Sequence, residues 1–577
     1  MLKVVGASWL QTRVSTYILV AVALLGIGAI ILSEFGGFIY LFRVNNDGTY
    51  SATVTWNHNK IYRIEFWGQG NDLESLPKGA ARAYYKTRIH ETGWSLVEIE
   101  TSPMYPDTVQ AYSAGMLEGS LTWQLIHHHW FNTIGIVCTG DLESTCDKIR
   151  QRLLENYETL KTKARLLETE DPFWHIIHLF YVQLEGLEEG WRFAVRRSRK
   201  SFDIPKADFL WLAMASDLPN FGVDHDDIKG KIFLKNVTNE DTDAESFFAI
   251  VHNTVAPYRK MLRLLKKYTF GYHETGAKNS KRLATRSVSI SSYPGALSSQ
   301  DEYYILYREN NKDLMILAGT SLNLQEANNM DNSNNSERED TASNTKNLEL
   351  DIAMTPAKIM AANWLSSDAH TWSRLLARRE DPGNPWKPFQ WVIVRPNNLS
   401  VWLVEQHPTA THVVEYTDRL KEEGYLFCDG NSLLVTSEEN EGLIKVKQRG
   451  EFDKTMVNTS EIDDQLDMQE KSHEGILSPK NRSSSSHSKL LYDLPSLKQV
   501  MTFRGDFEEV PVAMGVIDSK IALVNNNGLQ QFDATCGPAW SEEKAVFQWS
   551  ESFPNIPHIG QPDKFDFESM TPLWIWF

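Results

Sequence analysis

The sequence predicts an α+β fold, on three observations. Short apolar runs of strand length recur along the chain, Phe247 to Val251 (FFAIV) and Phe389 to Arg395 (FQWVIVR) being the clearest. Longer segments with helical spacing stand between such runs: residues 143–168 are charged and amphipathic, and Phe173 to Trp191 form a more buried helix. A hydrophobic content of 42% with eighteen Trp supplies a packed core rather than a disordered chain.

Residues 1–16 carry Lys3 and Arg13 and no acid. Tyr17 to Leu32 is uncharged and apolar, Glu34 interrupts, and Phe35 to Phe42 resumes the apolar character. No small-x-small cleavage site follows. The stretch 17–41 is therefore expected to be a type II signal anchor with residues 1–16 cytoplasmic, a cleaved signal peptide being the alternative. Both readings put residues 44–577, a single domain with parts 44–230 and 231–577, in the secretory pathway. There the protein would be single-pass in the membrane, secreted or lysosomal. Sequons at Asn236, Asn334, Asn398, Asn458 and Asn481 agree and are expected to carry glycans.

From Thr49 the run TYSATVTW alternates like a half-buried strand. Helices are expected over 79–89 and 107–130, with the strand Trp94 to Glu100 between them. FFAIV should exit at His252-Asn253-Thr254 into a helix with Pro257 in its first turn. Tyr258, Met261, Leu262 and Leu265 would share its apolar face, and Lys266 and Lys267 would complement its dipole. Residues 325–350 and 436–490 are low-complexity insertions rich in polar residues. Between them Phe389 to Arg395 and Ser400 to Gln406 read as strands. After residue 500 the chain reads as strand-poor and ends in an aromatic tail that wraps the core. Trp94, Trp174, Trp191, Trp391 and Trp549 are expected to be buried.

A net charge of −17 repels a phosphate backbone, which sets nucleic acid aside as a partner. The four Cys form no CxxC pair. Cys138 and Cys146 flank a short loop and can close a small disulfide or remain two buried thiols. His127, His128 and His129 are consecutive and point in different directions on a helix, so they cannot converge on one ion. His175 and His178 lack the glutamate of an HExxH frame. No metal and no cofactor is expected. There is no G-x-S-x-G elbow, Walker A motif or G-x-G-x-x-G loop.

Val251-His252-Asn253-Thr254-Val255 followed by Met261-Leu262-Arg263 resembles the phospholipase B-like family, whose signature runs Cys-Ser-Ala-Leu-Ile-Lys, Ala-His-Asn-Thr-Trp, Met-Leu-Arg. The resemblance continues through Thr92-Gly93-Trp94, Ala114 to Gly119, Phe173-Trp174, Gly186 to Gly190, Ser292-Tyr293-Pro294-Gly295, Asp301 to Tyr304, Gly537-Pro538 and Gly560 to Asp563. It implies a four-layer αββα sandwich of the N-terminal-nucleophile hydrolases. In that fold the chain cuts itself before a Cys, Ser or Thr, and the freed amine serves as base for that side chain. Family members are described as removing acyl chains from phospholipids, which implies a phospholipid or acyl ligand; an amide would suit the fold equally.

The chain departs from this pattern twice. Aligning Lys235 with the signature's Lys puts the family cysteine near Gly230, and residues 217–237 contain no Cys, Ser or Thr. Where the family has Thr-Tyr-Asn-Asn-Gln-Trp, this chain has Trp386 to Trp391, with Pro388-Phe389 in place of the Asn pair. With its anchor and lost cysteine the chain is most similar to the insect lamina ancestor branch of the family. His252, Asn253, Thr254, Gln390 and Trp391 are the candidate site residues. Three readings follow: a non-catalytic relative that binds a lipid or partner, an active acyl hydrolase, and a signalling or structural ectodomain. The missing nucleophile favours the first.

Overall fold

The structure is a computed structural model that describes residues 48–57, 59–67, 72–217, 229–237, 247–308, 313–322, 354–378, 388–407, 410–436, 444–446, 513–538, 540 and 545–576, together with Tyr17, Val20 and Val22. The expected anchor lies outside these residues but for those last three. Asn334, Asn458, Asn481 and nearly all of both low-complexity insertions also lie outside. Among the described residues no helix is long and apolar enough to cross a membrane.

The fold is α+β. Strands β1 (Thr49–Trp56), β2 (Tyr62–Trp67), β3 (Ala81–Arg88) and β4 (Trp94–Thr101) open the chain. Helices α1 (Asp107–Leu121), α2 (Trp123–Trp130), α3 (Glu143–Leu167), α4 (Pro172–Arg197) and α5 (Lys206–Met214) follow. Next come β5 (Lys229–Val237), β6 (Phe247–Pro257), β7 (Arg263–Thr269), β8 (Ser287–Ser292), β9 (Tyr303–Tyr307) and β10 (Leu314–Ser321). Helices α6 (Thr355–Leu365) and α7 (Ala369–Leu376) precede β11 (Phe389–Arg395), β12 (Ser400–Gln406), β13 (Thr411–Glu415) and β14 (Tyr425–Cys428). β15 (Leu434–Thr436) and β16 (Ile444–Val446) form a ribbon, and the chain finishes through β17 (Met514–Asn525) and β18 (Gly528–Cys536).

Eleven strands form one sheet in the order β13-β12-β11-β10-β9-β8-β7-β4-β3-β1-β2, antiparallel except where β4 meets β7. Five form a second, antiparallel sheet in the order β14-β5-β6-β17-β18. One face of the large sheet packs on the helices: Val97, Ile99, Leu264, Leu306, Leu317 and Ile393 join Leu117, Trp174, Ile177, Phe180 and Leu184 in one core. Its other face meets the small sheet, with Ile232, Leu234, Phe248 and Ile250 against Ile305, Ile316, Val392 and Leu403. A strand buried on both faces carries side chains to two cores at once.

The matched glycine motifs have a packing role. Gly115 and Gly119 on α1 face Gly186 and Gly190 on α4. A Cβ on Gly119 would lie 2.0 Å from Leu187 O, and one on Gly190 would lie 2.1 Å from Met116 O. The two helices touch backbone to backbone, so any side chain at these four positions would force them apart.

Several expected elements are confirmed: β1, β4, β11 and β12 as strands, and α1 to α4 as helices, the expected helix 107–130 being split into α1 and α2 and α4 running past Trp191 to Arg197. All five named Trp are buried. Three expectations are corrected. Residues 81–88 are strand rather than helix, because pairing with β1 and β4 on either side overrides local preference. Residues 257–267 hold no helix: Tyr258–Lys260 make one 3₁₀ turn and β7 begins at Arg263. The helical spacing there arises because β7 is buried on both faces, so its apolar residues obey neither period. Beyond residue 500 the chain is not strand-poor. β17 was hidden by Asp518, Ser519 and Lys520, polar residues in the middle of an otherwise apolar run.

The C-terminal segment returns to the far side of the large sheet. Ile575 N donates to Glu98 Oε2 at 2.7 Å and Trp576 N to Glu98 Oε1 at 3.2 Å. The Trp576 indole donates to Leu73 O at 3.0 Å and stands edge-on to Tyr84.

Candidate functional site

The start of β5 lies against the end of β10, where the two sheets approach. Thr320 Oγ1 accepts from Gly230 N at 3.0 Å and donates to Gly230 O at 2.7 Å. On neighbouring β6, His252, Asn253 and Thr254 lie within the strand rather than at its exit, because β6 runs on to Pro257. Asn253 Oδ1 accepts from Lys231 N at 3.0 Å. His252 Nε2 is 3.0 Å from the Gly319 carbonyl, so that nitrogen carries the proton and donates. Its Nδ1 has no hydrogen-bond partner among the described residues. Burial, then the nearby Lys520, push the ring down to about 3 and keep it neutral.

A Cβ on Gly230 would stand 2.9 Å from His252 Nε2, 3.0 Å from Asn253 O and 3.3 Å from Gly319 O. Two of these atoms are backbone carbonyls of paired strands and cannot swing away. Gly319 is pinned in turn, since Trp391 packs 2.7 Å from where its own Cβ would be.

Beside this junction runs a wholly buried charge network. Thr254 Oγ1 is 3.0 Å from both Asp301 Oδ2 and Asp518 Oδ1. Lys520 Nζ donates to Thr254 Oγ1 at 2.8 Å, Asp518 Oδ1 at 2.6 Å and Asp301 Oδ2 at 2.9 Å. Arg263 pairs with Asp301, and its Nε lies 2.7 Å from Asp518 Oδ2. Ser291 and Ser299 also donate to Asp301. Burial acts to raise the Asp301 carboxyl, but Arg263 and Lys520 override it and hold it well below the usual carboxylate range. Two carboxylates face two cations, so the desolvated group is formally neutral. Asp301 is delivered by a strained turn, with Gln300 and Glu302 on either side of it at φ 62°.

Along the large sheet Thr320 pairs with Gln390 and Gln390 with Glu405. Gln390 Nε2 donates to Glu405 Oε1 at 2.8 Å and to Asn431 O at 2.9 Å. Glu405 also accepts from Ser432 Oγ and Leu433 N, both at 2.6 Å. Thus His252, Asn253, Thr254 and Gln390 cluster around Gly230 and Thr320. Trp391 does not join them: it lies on the helical side, 4.9 Å from the Trp372 ring. Thr320, Asp301, Asp518, Lys520, Arg263 and Glu405 were not singled out from sequence as site residues. The usable signals were the family-matched motifs that contain Arg263 and Asp301 and the Asp518-Ser519-Lys520 break in an apolar run.

The remaining candidates lie elsewhere. His127 stacks on Phe202, His129 stacks on Tyr293, and His128 packs against Gly560. His175 Nε2 meets Asp107 at 3.0 Å and His178 bonds Glu168. Among the described residues no group of three His, Cys, Asp or Glu is arranged to hold a metal ion. A disulfide joins Cys138 and Cys146 at the start of α3. Asn398 is exposed in a turn, with Ser400 Oγ donating to its Oδ1 at 2.8 Å, whereas Asn236 is half-buried in β5.

A family profile described as phospholipase B matches residues 81–432 and 482–572. The phospholipase B-like lamina ancestor of Drosophila melanogaster is 34% identical over 70% of this chain and 61% of its own length. The match thus spans less than two thirds of the fly protein. Phospholipase B-like 2 of Rattus norvegicus is 27% identical over 86% of this chain and 87% of its own length. Phospholipase B-like 1 of Caenorhabditis elegans is 25% identical over 88% and 90%. With a profile covering most of the chain and a relative above 30% identity, the chain belongs to the phospholipase B family.

Proposed function

We propose that this chain is a non-catalytic member of the family, keeping the frame of an N-terminal-nucleophile hydrolase to bind a phospholipid, an acyl group or a partner protein. The full αββα sandwich is part of this reading. Helices, large sheet and small sheet supply three of its layers. The single observation that carries the proposal is the filled space at Gly230, where a Cβ would press on His252 and two carbonyls. A nucleophile there needs room for a side chain and for the substrate carbonyl it attacks. Residues 217–237 also offer no hydroxyl or thiol to cut the chain and free an α-amine. His252 is a poor substitute base: burial pushes its ring down to about 3, so it holds a proton weakly, and its Nε2 proton is committed to Gly319.

In this reading residues 17–41 anchor the chain, residues 1–16 stay in the cytoplasm, and the folded part lies in the lumen or outside. Asn398 is the best-presented glycan acceptor among the described residues. The test is an assay of purified protein on labelled phospholipids and acyl amides, beside a relative that keeps the cysteine. Turnover by the relative alone, with saturable lipid binding by both, is expected. Turnover by this chain, together with a concentration-independent cut between residues 217 and 237, restores the hydrolase reading. Removal of N-linked glycans should increase gel mobility if the folded part is lumenal.

A further inference from the structure

Strand β2 closes one edge of the large sheet and pairs only with β1; among the described residues nothing pairs with its outer edge. Its six residues alternate between two faces. Tyr62, Ile64 and Phe66 turn toward the helices, where Tyr62 meets Tyr112 at 4.6 Å and Phe66 lies under the Arg197 guanidinium at 4.1 Å. Arg63 and Glu65 turn outward with side chains 77% and 39% exposed, and Ile61 just ahead of them is 57% exposed. An edge strand is commonly blunted by charged side chains, and like charges repel a second strand whatever its register. Here Arg63 and Glu65 have opposite signs and lie 3.5 Å apart as an exposed pair within the strand, and one register sets each of them against its opposite in a second copy.

We propose that β2 is a self-association edge, whose partner is β2 of a second copy of this chain, antiparallel across a two-fold axis at Ile64. In that register Arg63 faces Glu65 of the partner subunit, and Glu65 faces Arg63 of the partner subunit. Ile61 is covered by Trp67 of the partner subunit. On the helical face Tyr62 meets Phe66 of the partner subunit, and the two Ile64 side chains meet on the axis. Shifting the register by two residues in either direction sets Glu65 against Glu65 or Arg63 against Arg63. Shifting it by one sets an outward charge against an inward apolar residue. The same patch serves both copies, as a two-fold interface requires.

The seven residues paired in this register, Ile61 to Trp67, supply about six to eight backbone hydrogen bonds. Exposed ion pairs add little affinity, so they act chiefly to select the register. The association is therefore weak and depends on concentration.

Two experiments on the full chain decide the matter. In the first, Ile64→Cys is introduced and the protein is mildly oxidised on its membrane. All four native cysteines are paired or buried: Cys138 and Cys146 form the disulfide, and Cys428 and Cys536 are buried. The register brings the two new thiols within disulfide reach. A species of twice the mass on a non-reducing gel is expected, and none from Arg63→Cys, whose copies lie two residues out of register. Equal cross-linking from both, or none from a correctly folded Ile64→Cys, overturns the proposal. In the second, which leaves the inward residue untouched, detergent-solubilised protein is followed by sedimentation equilibrium. Arg63→Glu should lower the association constant by about fivefold or more. Adding Glu65→Arg should restore it, because the exchanged charges again face opposite signs. A wild-type monomer at all concentrations, or a dimer indifferent to Arg63→Glu, overturns the proposal whatever the fate of the cysteine variant.

Discussion

Arg263 Nε and Asp518 Oδ2 lie 2.7 Å apart with both side chains fully buried, and this contact ties β7 of the large sheet to β17 of the small one. Asp518→Ala should leave Arg263 and Lys520 with one carboxylate between them. A loss of about 3–5 kcal/mol is expected from such an uncompensated buried charge. Urea unfolding measures it. Asp518→Leu combined with Lys520→Met should cost less than Asp518→Leu alone, because the second change removes the orphaned cation.

Gly230→Cys tests whether the missing atom is all that separates this chain from a hydrolase. The new Cβ must push against His252 and the carbonyls of Asn253 and Gly319. A destabilisation of about 1–3 kcal/mol with no gain of ester or amide cleavage is the expected result. A lowered melting temperature beside a flat fluorogenic assay would report it. Efficient turnover by this variant contradicts the filled-site account.

Gly119→Ala should be damaging although alanine is the better helix former by about 1 kcal/mol. Its Cβ would sit 2.0 Å from Leu187 O on the facing helix. The net change is expected to be a loss of about 1–3 kcal/mol or more, read from thermal unfolding. A gain in stability would show that α1 and α4 are not in backbone contact.

His129 and His252 set an acid dependence. Burial first, then neighbouring cations, depress both rings from 6.5 to about 3. The unfolded chain takes up these two protons near pH 6.5 and the folded chain only near pH 3, so stability falls as the pH drops through that interval. At pH 5 each ring should account for roughly 2 kcal/mol of lost stability. Asp301, held low in the fold, acts in the same direction below the ordinary carboxylate range. Urea midpoints at pH 7 and pH 5 give the comparison, and equal midpoints contradict the assignment.

Legibility in the sequence followed how simple each residue's surroundings are. α3 and α4 have one buried side, so their periodicity survived, and β11 and β12 are continuous apolar runs. β7 and β17 failed for a shared reason. Arg263 and Lys520 are polar because both meet Asp518, and sequence offers no sign that Arg263 and Asp518, more than 250 positions apart, will pair. Helix-like β3 failed because its neighbours β1 and β4, rather than its own residues, fix its conformation. At the candidate site the motif residues His252, Asn253 and Thr254 were readable by resemblance. Thr320, in an ordinary-looking AGTS stretch, became visible only when Gly230 was seen bonded to it. Trp391 was misplaced because adjacent residues on a strand face opposite layers, so Gln390 alone turns toward the site.

The hydrogen bond from Ile575 N to Glu98 spans 477 residues of sequence. During vectorial synthesis β4 emerges long before Ile575 and Trp576, whose backbone amides satisfy its buried carboxylate. Glu98 and the Tyr84 face must therefore stay wet, or be held by a chaperone, until those residues arrive. Such a long-range closure comes late in folding and is slow. A truncation just before Ile575 would leave a chain complete in both sheets but with a charged, open seam, a natural substrate for quality control.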